Sequence, residues 1–209
     1  MLFYDCSTAP SPRRARMFIA EKGVEVETRE VSIAKGEQLR PEFLAVNPRA
    51  TVPVLVTDTG VTLTENLGIA AFLETAFPEK PLMGRDAVEK GLVAMWNAIA
   101  ETQGGLPIAE ALRNGNPHMK DRAVTGQVNH AQIPELAERG MVRARAFFDI
   151  LEERLAESPF LATDHLTLAD ITAFVFTDFA RVIKLRIPET HQATQTWFDN
   201  IKARPSASL

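Results

Sequence analysis

An α/β domain followed by an all-α domain is the fold class that this sequence predicts. The first 77 residues alternate between short β-type runs and helical patterns, whereas nearly everything after residue 86 has helical periodicity. Between these halves, Pro78 and Pro81 interrupt the chain, and proline breaks helices. We therefore expect one domain at residues 1–77, a linker at residues 78–86 and a second domain at residues 87–209. The 209 residues, of which 45% are apolar, suffice for two hydrophobic cores.

The first elements are a strand, a helix and a second strand region. Residues 2–4 form a short β-type run. Ser11 and Pro12 have N-cap and first-turn character, apolar residues follow at helical spacing, and Gly23 is a residue type that ends helices. Residues 24–33 predict the second strand region.

A hairpin that leads into a helix follows a short helix at residues 41–46. Residues 54–56 and 61–63 are β-type runs, and turn formers at residues 58–60 separate them. A polar helix start then opens a helix at residues 65–77. The resulting order, β-α-β-α-β-β-α, is that of a thioredoxin-like domain.

The second half is predicted to be helical from its apolar stripes. Two of these stripes comprise Leu92, Met95, Trp96 and Ile99, and Met141, Ala144, Phe148, Leu151 and Leu155. Thr167 and Asp170 have the spacing of a capping box before the apolar residues 171–176, so we interpret Asp170 as structural. The polar stretch at residues 113–134 either overhangs a ligand or is a passive loop.

Composition argues against several classes of function. A net charge of -4 without a long basic run argues against a nucleic-acid partner, and three arginines at 13, 14 and 16 are typical of a solvated helix face. The sequence has no run of eighteen apolar residues, so we expect no membrane span. The N-terminus lacks signal-peptide features, which favours the cytoplasm. The histidines lack metal-ligand spacing, so we expect no metal site. These are His118, His130, His165 and His191.

The segment around Pro53 predicts a binding site for a small peptide. Proline lacks a backbone N–H and fixes φ, so Pro53 belongs at the mouth of a strand. With a cis Val52–Pro53 bond, the N–H and C=O groups of Val52 both face outward and pair with a bound peptide as another strand would. The helix start at Glu65 and Asn66 offers N–H groups and a positive dipole end to a carboxylate. The alternative is a strand-turn-helix unit with no ligand.

This segment resembles the glutathione-binding segment of the glutathione transferase family. The family motif has Asn-Pro, a short gap, Val-Pro-Val-Leu, a hairpin, and Glu-Ser before an aliphatic helix. The matching residues here are Asn47, Pro48, Val52, Pro53, Val54, Leu55, Glu65 and Asn66. Asn66 stands where the family usually has Ser, but its amide still donates a hydrogen bond to a carboxylate. The closing residues 197–206 also resemble the family's last helix, so the resemblance covers essentially the whole chain.

The resemblance implies that glutathione is the co-substrate and that residues on both sides of the motif bind it. The Val52–Pro53 segment would pair with the cysteinyl backbone. Glu65 and Asn66 would hold the γ-glutamyl ammonium and carboxylate, and Lys35 and Gln38 would reach the glycyl carboxylate. The implied activity is conjugation of glutathione to a hydrophobic electrophile by a homodimer. A glutathione-dependent peroxidase or reductase, and a non-catalytic glutathione-binding or assembly module, remain open alternatives.

The residue that would activate the thiol is less evident. With the register set by residues 14–16, the family's usual Ser or Cys falls at Ala9 or Pro10, and neither side chain donates. The sequence of residues 5–12 is similar to a fungal and bacterial subgroup that lacks the standard catalytic Tyr, Ser or Cys. We therefore expect the helix dipole, backbone N–H groups and the Ser11 hydroxyl to activate glutathione, the alternative for Ser11 being a plain N-cap.

Two other features bear on thiol chemistry. In the resembling subgroup, a water held by the helical domain is thought to assist the thiol. Members of that subgroup often carry His in the loop where Asn114 and Asn116 stand here.

Cys6 is the single cysteine, which excludes an intrachain disulfide and agrees with a reducing compartment. It lies about five residues too early for a nucleophile at the helix N-terminus, and position 9 is Ala, which argues against thioredoxin-type exchange.

Overall fold

The computed structural model describes residues 1–209 and divides them into two compact units. The first unit comprises Met1–Lys80 together with Thr125–Asn129 and Leu209. The second comprises Pro81–Val124 and His130–Ser208. None of the helices combines the length and the apolar character needed to cross a membrane.

The first unit is built on a four-stranded sheet in the order β2-β1-β3-β4. Its strands are β1 (Leu2–Asp5), β2 (Glu27–Glu30), β3 (Val54–Val56) and β4 (Thr62–Leu63). β1 and β2 are parallel, while β3 is antiparallel to both β1 and β4. β4 therefore runs in the same direction as β1 and β2. The carboxyl ends of these three strands and the amino end of β3 share one edge of the sheet, which we call the carboxyl edge.

The first helix, α1 (Pro10–Lys22), starts earlier than the sequence predicts. The N-cap is Ala9 and Ser11 is the second helical residue, so the prediction of Ser11 as N-cap is wrong. The reason is local, because the fixed φ of Pro10 suits the first position of a helix. At the other end, Gly23 is left-handed with φ 71°, as the sequence predicts for a helix-ending glycine.

The second strand is shorter than residues 24–33, the region that the sequence predicts. β2 covers four residues at the outer side of the sheet, and all four are exposed. Two 3₁₀ turns follow at Ile33–Lys35 and Glu37–Leu39, separated by Gly36 with φ 67°. The first of these turns begins three residues after β2, and the left-handed Gly36 ends that turn. The remaining helices of this unit are α2 (Pro41–Leu44) and α3 (Asn66–Ala76).

One hydrophobic cluster of the first unit includes a residue from β1 and a residue from β3. It contains Tyr4, Val31, Phe43 and Val54, with the Tyr4 and Phe43 rings edge to face at 5.8 Å. The side chain of Val52 packs against this cluster. The strand mouth at Val52 is therefore anchored by apolar contacts.

The second unit is all-helical, so the predicted order of an α/β domain and an all-α domain is confirmed. Its helices are α4 (Ala87–Ile99), α5 (Leu106–Gly115), α6 (Pro134–Leu155), α7 (Leu168–Phe179) and α8 (Gln192–Lys202). A π-helical turn, Ala100–Gly105, joins α4 to α5. The predicted stripe on α4 is wrong at Met95, which is 47% exposed, while Val93 and Asn97 are the buried residues.

The capping box at the start of α7 is present as predicted. The Asp170 carboxylate is fully buried and accepts hydrogen bonds from the Thr167 N–H (3.0 Å), the Leu161 N–H (2.9 Å) and the Trp197 indole N–H (3.2 Å). Burial raises the pKa of Asp170, an effect that these hydrogen bonds oppose. Asp170 thus holds three separate segments of the helical unit together.

Candidate functional site

The carboxyl edge gathers every residue that the sequence predicts to bind or activate glutathione. Ser11 follows β1, Lys35 and Gln38 follow β2, Val52 and Pro53 precede β3, and Glu65 and Asn66 follow β4. Adjacent strands lie about 4.8 Å apart, so β2 and β4 are separated by roughly 14 Å. An extended tripeptide spans about 10 to 11 Å. The topology therefore distributes these residues over a span that matches a small peptide.

At the centre of the edge, the Val52–Pro53 peptide bond is cis. Neither the N–H nor the C=O group of Val52 has a hydrogen-bond partner within the protein. Because the side chain of Val52 packs into the core, these two main-chain groups are held in place. The position offers one donor and one acceptor to an extended peptide.

The turn before this bond, residues 47–51, is organised by a buried asparagine, and we call it the Asn47 turn. Asn47 is 1% exposed, and its amide donates to the carbonyl (2.8 Å) and hydroxyl (3.0 Å) of Thr51. Its side-chain oxygen accepts from the Arg49 N–H at 3.0 Å, and its carbonyl accepts from the Ala50 N–H at 3.0 Å. Ala50 has φ 55°, an uncommon conformation for a residue other than glycine. The side chain of Asn47 thus fixes the approach to Val52.

The start of α3 forms one end of the edge. Glu65 is the exposed N-cap and makes no side-chain cap hydrogen bond. Asn66 is more than nine-tenths buried, yet its side-chain oxygen has no hydrogen-bond partner. First-turn N–H groups of a helix and its positive dipole end favour an anion. The unpaired carboxylate of Glu65 suits an ammonium group, and the helix N-terminus suits a carboxylate. With the unpaired amide of Asn66, this end of the edge therefore suits a ligand group that carries both charges.

The 3₁₀ turns after β2 form the opposite end. Gln38 is buried, and its side-chain oxygen also lacks a hydrogen-bond partner. Lys35 is exposed, and no carboxylate pairs with it. A buried polar group without a partner costs about 1 to 3 kcal/mol, so each of these two amides is stabilised by a further polar partner. Rotation of the Gln38 amide presents its NH₂ group to a carboxylate beside Lys35.

The first turn of α1 has one free N–H group. Pro10 and Pro12 have no N–H, and the Arg13 N–H donates to the Ala9 carbonyl at 3.3 Å. The N–H and hydroxyl of Ser11 have no partner within the protein. Ser11 therefore supplies both donors that this helix start offers to a thiolate.

The loop before α1 is held on two sides by charged residues. The Asp5 carboxylate pairs with Arg16, and the Glu30 carboxylate accepts from the N–H (3.0 Å) and hydroxyl (3.1 Å) of Ser7. Arg14 is 4% exposed, so the expectation of a solvated arginine face is wrong. Arg16, through its pair with Asp5, supports the helix start.

Cys6 lies within this loop but is closed to solvent. It is 1% exposed, and its Sγ lies 3.5 Å from the Thr8 hydroxyl. It is a free cysteine, located four residues before the first residue of α1. Cys6 therefore does not occupy the helix N-terminus that lowers a thiol pKa.

Asn114 and Asn116 already have structural hydrogen-bond partners. The Asn114 amide donates to the Glu110 carbonyl and accepts from the Ile133 N–H, both at 3.0 Å. The Asn116 side chain accepts from the His118 N–H at 3.0 Å and caps a short 3₁₀ turn. Both side chains stabilise the loop after α5.

One group of possible metal ligands lies in the helical unit. Glu89, Asp164 and His165 bring three ligand atoms within 4.8 Å of one another. The Arg85 guanidinium lies among them, 3.0 Å from Asp164 and 2.6 Å from the His165 ring nitrogen. The position of a cation is thus taken by an arginine.

Two family models of known proteins match segments in the two halves of the chain. Residues 8–76 match the family model for the glutathione S-transferase N-terminal domain, and residues 116–205 match the model for the C-terminal domain. The chain belongs to the glutathione S-transferase family. Glutathione S-transferase 2 of Saccharomyces cerevisiae is 31% identical to it over 99% of this chain and 87% of the relative.

Two further comparisons place this family member among its relatives. The crystal structure of Gtt2 from Saccharomyces cerevisiae covers 100% of this chain and 99% of its own, with a TM-score of 0.89 and 31% identity. The disulfide-bond oxidoreductase YfcG of Escherichia coli is 25% identical over 97% of this chain and 91% of its own length. The relatives of this glutathione S-transferase family member thus include a protein named as a disulfide-bond oxidoreductase.

Proposed function

We propose that this protein is a glutathione transferase that joins the thiolate of glutathione to hydrophobic electrophiles. The observation that carries the proposal is the pair of buried, unpartnered amides, Gln38 and Asn66, on either side of the free main-chain groups of Val52. Each has a hydrogen-bonding need that a γ-glutamyl tripeptide meets.

In the proposed complex, the tripeptide lies along the carboxyl edge. Its glycyl carboxylate meets Lys35 and Gln38, and its cysteinyl backbone pairs with the main chain of Val52 beside Pro53. The γ-glutamyl ammonium and carboxylate meet Glu65 and Asn66. Each charged end then has a partner of opposite charge or a hydrogen-bond donor.

This arrangement places the cysteinyl sulfur near the start of α1. A free thiol has a pKa of about 8.5, and one hydrogen bond to a charged group contributes about 1.5 to 3 kcal/mol. The N–H and hydroxyl of Ser11 are therefore sufficient to make the thiolate the main form near neutral pH. The sulfur attacks the electrophilic carbon, a C–S bond forms, the bond to the leaving group breaks with its electron pair, and the thiol proton passes to solvent.

The assembly and location are also proposed from family membership. We propose a homodimer that works in a reducing compartment such as the cytoplasm, in agreement with the free Cys6. On α4, Val88 and Met95 lie seven positions apart and are 71% and 47% exposed, which gives an apolar face for a second copy. Sedimentation of the Val88→Glu, Met95→Glu double variant is expected to show monomers.

A glutathione-dependent reductase is the second candidate, and the similarity to YfcG favours it. Reduction of a disulfide or hydroperoxide by two glutathione molecules needs the same activated thiolate and no protein cysteine. A non-catalytic glutathione-binding module is the third.

Calorimetric titration with glutathione, followed by assays with an aryl halide, a hydroperoxide and a mixed disulfide, separates these three functions. Turnover of the aryl halide supports the transferase, and turnover of only the other two supports the reductase. Binding without turnover supports the module, and absence of binding contradicts all three.

A further inference from the structure

Five residues of the polar stretch between α5 and α6, Thr125–Asn129, belong to the compact unit that contains the sheet. We call them the strap. The chain on either side of the strap is tied together, because the His130 N–H donates to the Asp121 carbonyl at 3.0 Å and the Ala123 N–H donates to the His130 carbonyl at 3.2 Å. The strap is therefore the tip of a closed loop.

The strap contacts the Asn47 turn through main-chain and side-chain groups. The side-chain NH₂ of Gln127 donates a hydrogen bond to the carbonyl of Pro48. A Cβ atom placed on Gly126 would lie 3.6 Å from the carbonyl oxygen of Arg49, so the two backbones approach closely. Gly126 has φ 117°, which L side chains rarely adopt, and this conformation depends on glycine.

The Asn47 turn connects two parts of the proposed glutathione site. It leads directly into Val52, whose free main-chain groups lie at the centre of the carboxyl edge. In addition, the Arg49 guanidinium donates to the Thr64 hydroxyl at 2.6 Å, and Thr64 precedes Glu65 and Asn66. A displacement of this turn would therefore be transmitted to the residues proposed to bind the cysteinyl and γ-glutamyl parts.

We propose that the strap positions the tripeptide site, with Gln127 as the positioning residue that holds the Pro48 carbonyl. This inference rests on the proposed function, since it assigns a role in glutathione binding. Gln127 acts through the Asn47 turn and makes no contact with glutathione. The polar stretch is then neither a passive loop nor a cover over the ligand, the two alternatives that its sequence left open.

The Gln127→Ala variant tests this role in the full-length protein. Loss of one neutral hydrogen bond is expected to weaken glutathione binding about three- to tenfold. The same change should accelerate hydrogen exchange at the Arg49 and Ala50 amides in the ligand-free protein, because both amides are bonded to Asn47 within the turn. The pH dependence of catalysis should not change, since the donors at Ser11 are untouched.

Two further variants sharpen the test. Gln127→Glu keeps the size of the side chain but turns an acceptor toward the Pro48 carbonyl, so it should be at least as damaging as Gln127→Ala. Val128→Ala is the matched control within the strap, because Val128 is 66% exposed and has no hydrogen-bonded or ring contact. It should leave both affinity and exchange unchanged.

The outcomes distinguish this inference from the proposed function. If the wild-type protein binds glutathione and Gln127→Ala binds it equally well, the positioning role is contradicted and the transferase proposal stands. If the wild-type protein does not bind glutathione, the proposed function fails together with the ligand-positioning role. Unchanged exchange at Arg49 and Ala50 would show that the strap does not hold the turn.

Discussion

The Nη1 atom of Arg16 lies 2.6 Å from both carboxylate oxygens of Asp5. This ion pair joins the last residue of β1 to the second turn of α1, and both side chains are largely buried. The Asp5 carboxylate also accepts from the Cys6 N–H at 2.7 Å. The pair therefore sets the position of the helix start that carries Ser11.

Arg16→Ala is expected to destabilise the protein strongly. Removal of one partner leaves the buried Asp5 charge uncompensated, which costs roughly 3 kcal/mol or more. Arg40→Ala is the control, because Arg40 is 55% exposed and its pairing with Glu37 at 3.7 Å is worth at most about 1 kcal/mol. Urea unfolding measures both. Equal small losses for the two variants would show that the Asp5 pair is not a structural anchor.

Truncated ligands should separate the two ends of the proposed site. We expect Lys35→Ala and Gln38→Ala to weaken glutathione binding but not the binding of γ-glutamylcysteine, which lacks the glycyl carboxylate. Asn66→Ala should weaken the binding of both ligands. A hydrogen bond to a charged group is worth about 1.5 to 3 kcal/mol, which corresponds to roughly 10- to 150-fold in affinity.

Calorimetric titration of each variant with both ligands gives the comparison. Should Gln38→Ala lose as much affinity for γ-glutamylcysteine as for glutathione, its amide would not be the partner of the glycyl end.

The Ser11 hydroxyl is tested by the pH dependence of conjugation. Ser11→Ala removes the hydroxyl but keeps the N–H group, so the thiol pKa of bound glutathione should rise and the rate profile should shift to higher pH. Ser11→Thr retains a hydroxyl and should keep the wild-type profile. An identical profile for wild type and Ser11→Ala would leave the backbone N–H as the only donor from this residue.

Local sequence rules predict those parts of the site that depend on neighbouring residues. The hairpin and α3 are specified with little help from distant contacts. Their signals are Pro53 before a β-type run, turn formers before a second run, and a polar helix start. Gly23 likewise ends α1 because it adopts a left-handed conformation. The capping box of Thr167 and Asp170 has a fixed spacing, and it forms as its sequence predicts.

The features that the sequence did not predict depend on long-range contacts. The ion pair between Arg16 and Asp5 joins α1 to β1, and the hydrogen bond from Ser7 to Glu30 joins the loop before α1 to β2. No sequence motif indicates either contact. The strap is a further case, because nothing in residues 125–129 indicates that they contact the turn at Pro48. The sequence misplaces the start of α1 for a local reason. Pro10 and Pro12 both suit the first turn of a helix, so the helix begins at Pro10 and Ser11 is not its N-cap.

The position of α8 depends on a carboxylate from another helix. Glu152 on α6 accepts hydrogen bonds from the N–H (2.8 Å) and hydroxyl (2.8 Å) of Thr194 and from the Ala193 N–H (3.2 Å). These groups belong to the first turn of α8, whose own N-cap residue, His191, makes no side-chain cap hydrogen bond. Burial raises the pKa of Glu152, but the hydrogen bonds from Thr194 and Ala193 outweigh it, so the pKa lies below the ordinary value of 4.5.

Glu152→Gln is therefore expected to destabilise the protein by about 1 kcal/mol near neutral pH, as loss of a helix cap does. A carboxyl group with a lowered pKa in the folded state contributes stability above its unfolded pKa and loses it as pH falls through the folded value. The difference between wild type and variant should thus shrink toward zero in acid.

Urea unfolding at about pH 7 and about pH 3 measures this difference. Glu153→Gln is the matched control, because Glu153 neighbours Glu152 on α6 but is exposed and has no hydrogen-bond partner. A Glu152→Gln deficit that stays constant with pH would mean that the ionised carboxylate does not cap α8, and that the loss arises from packing.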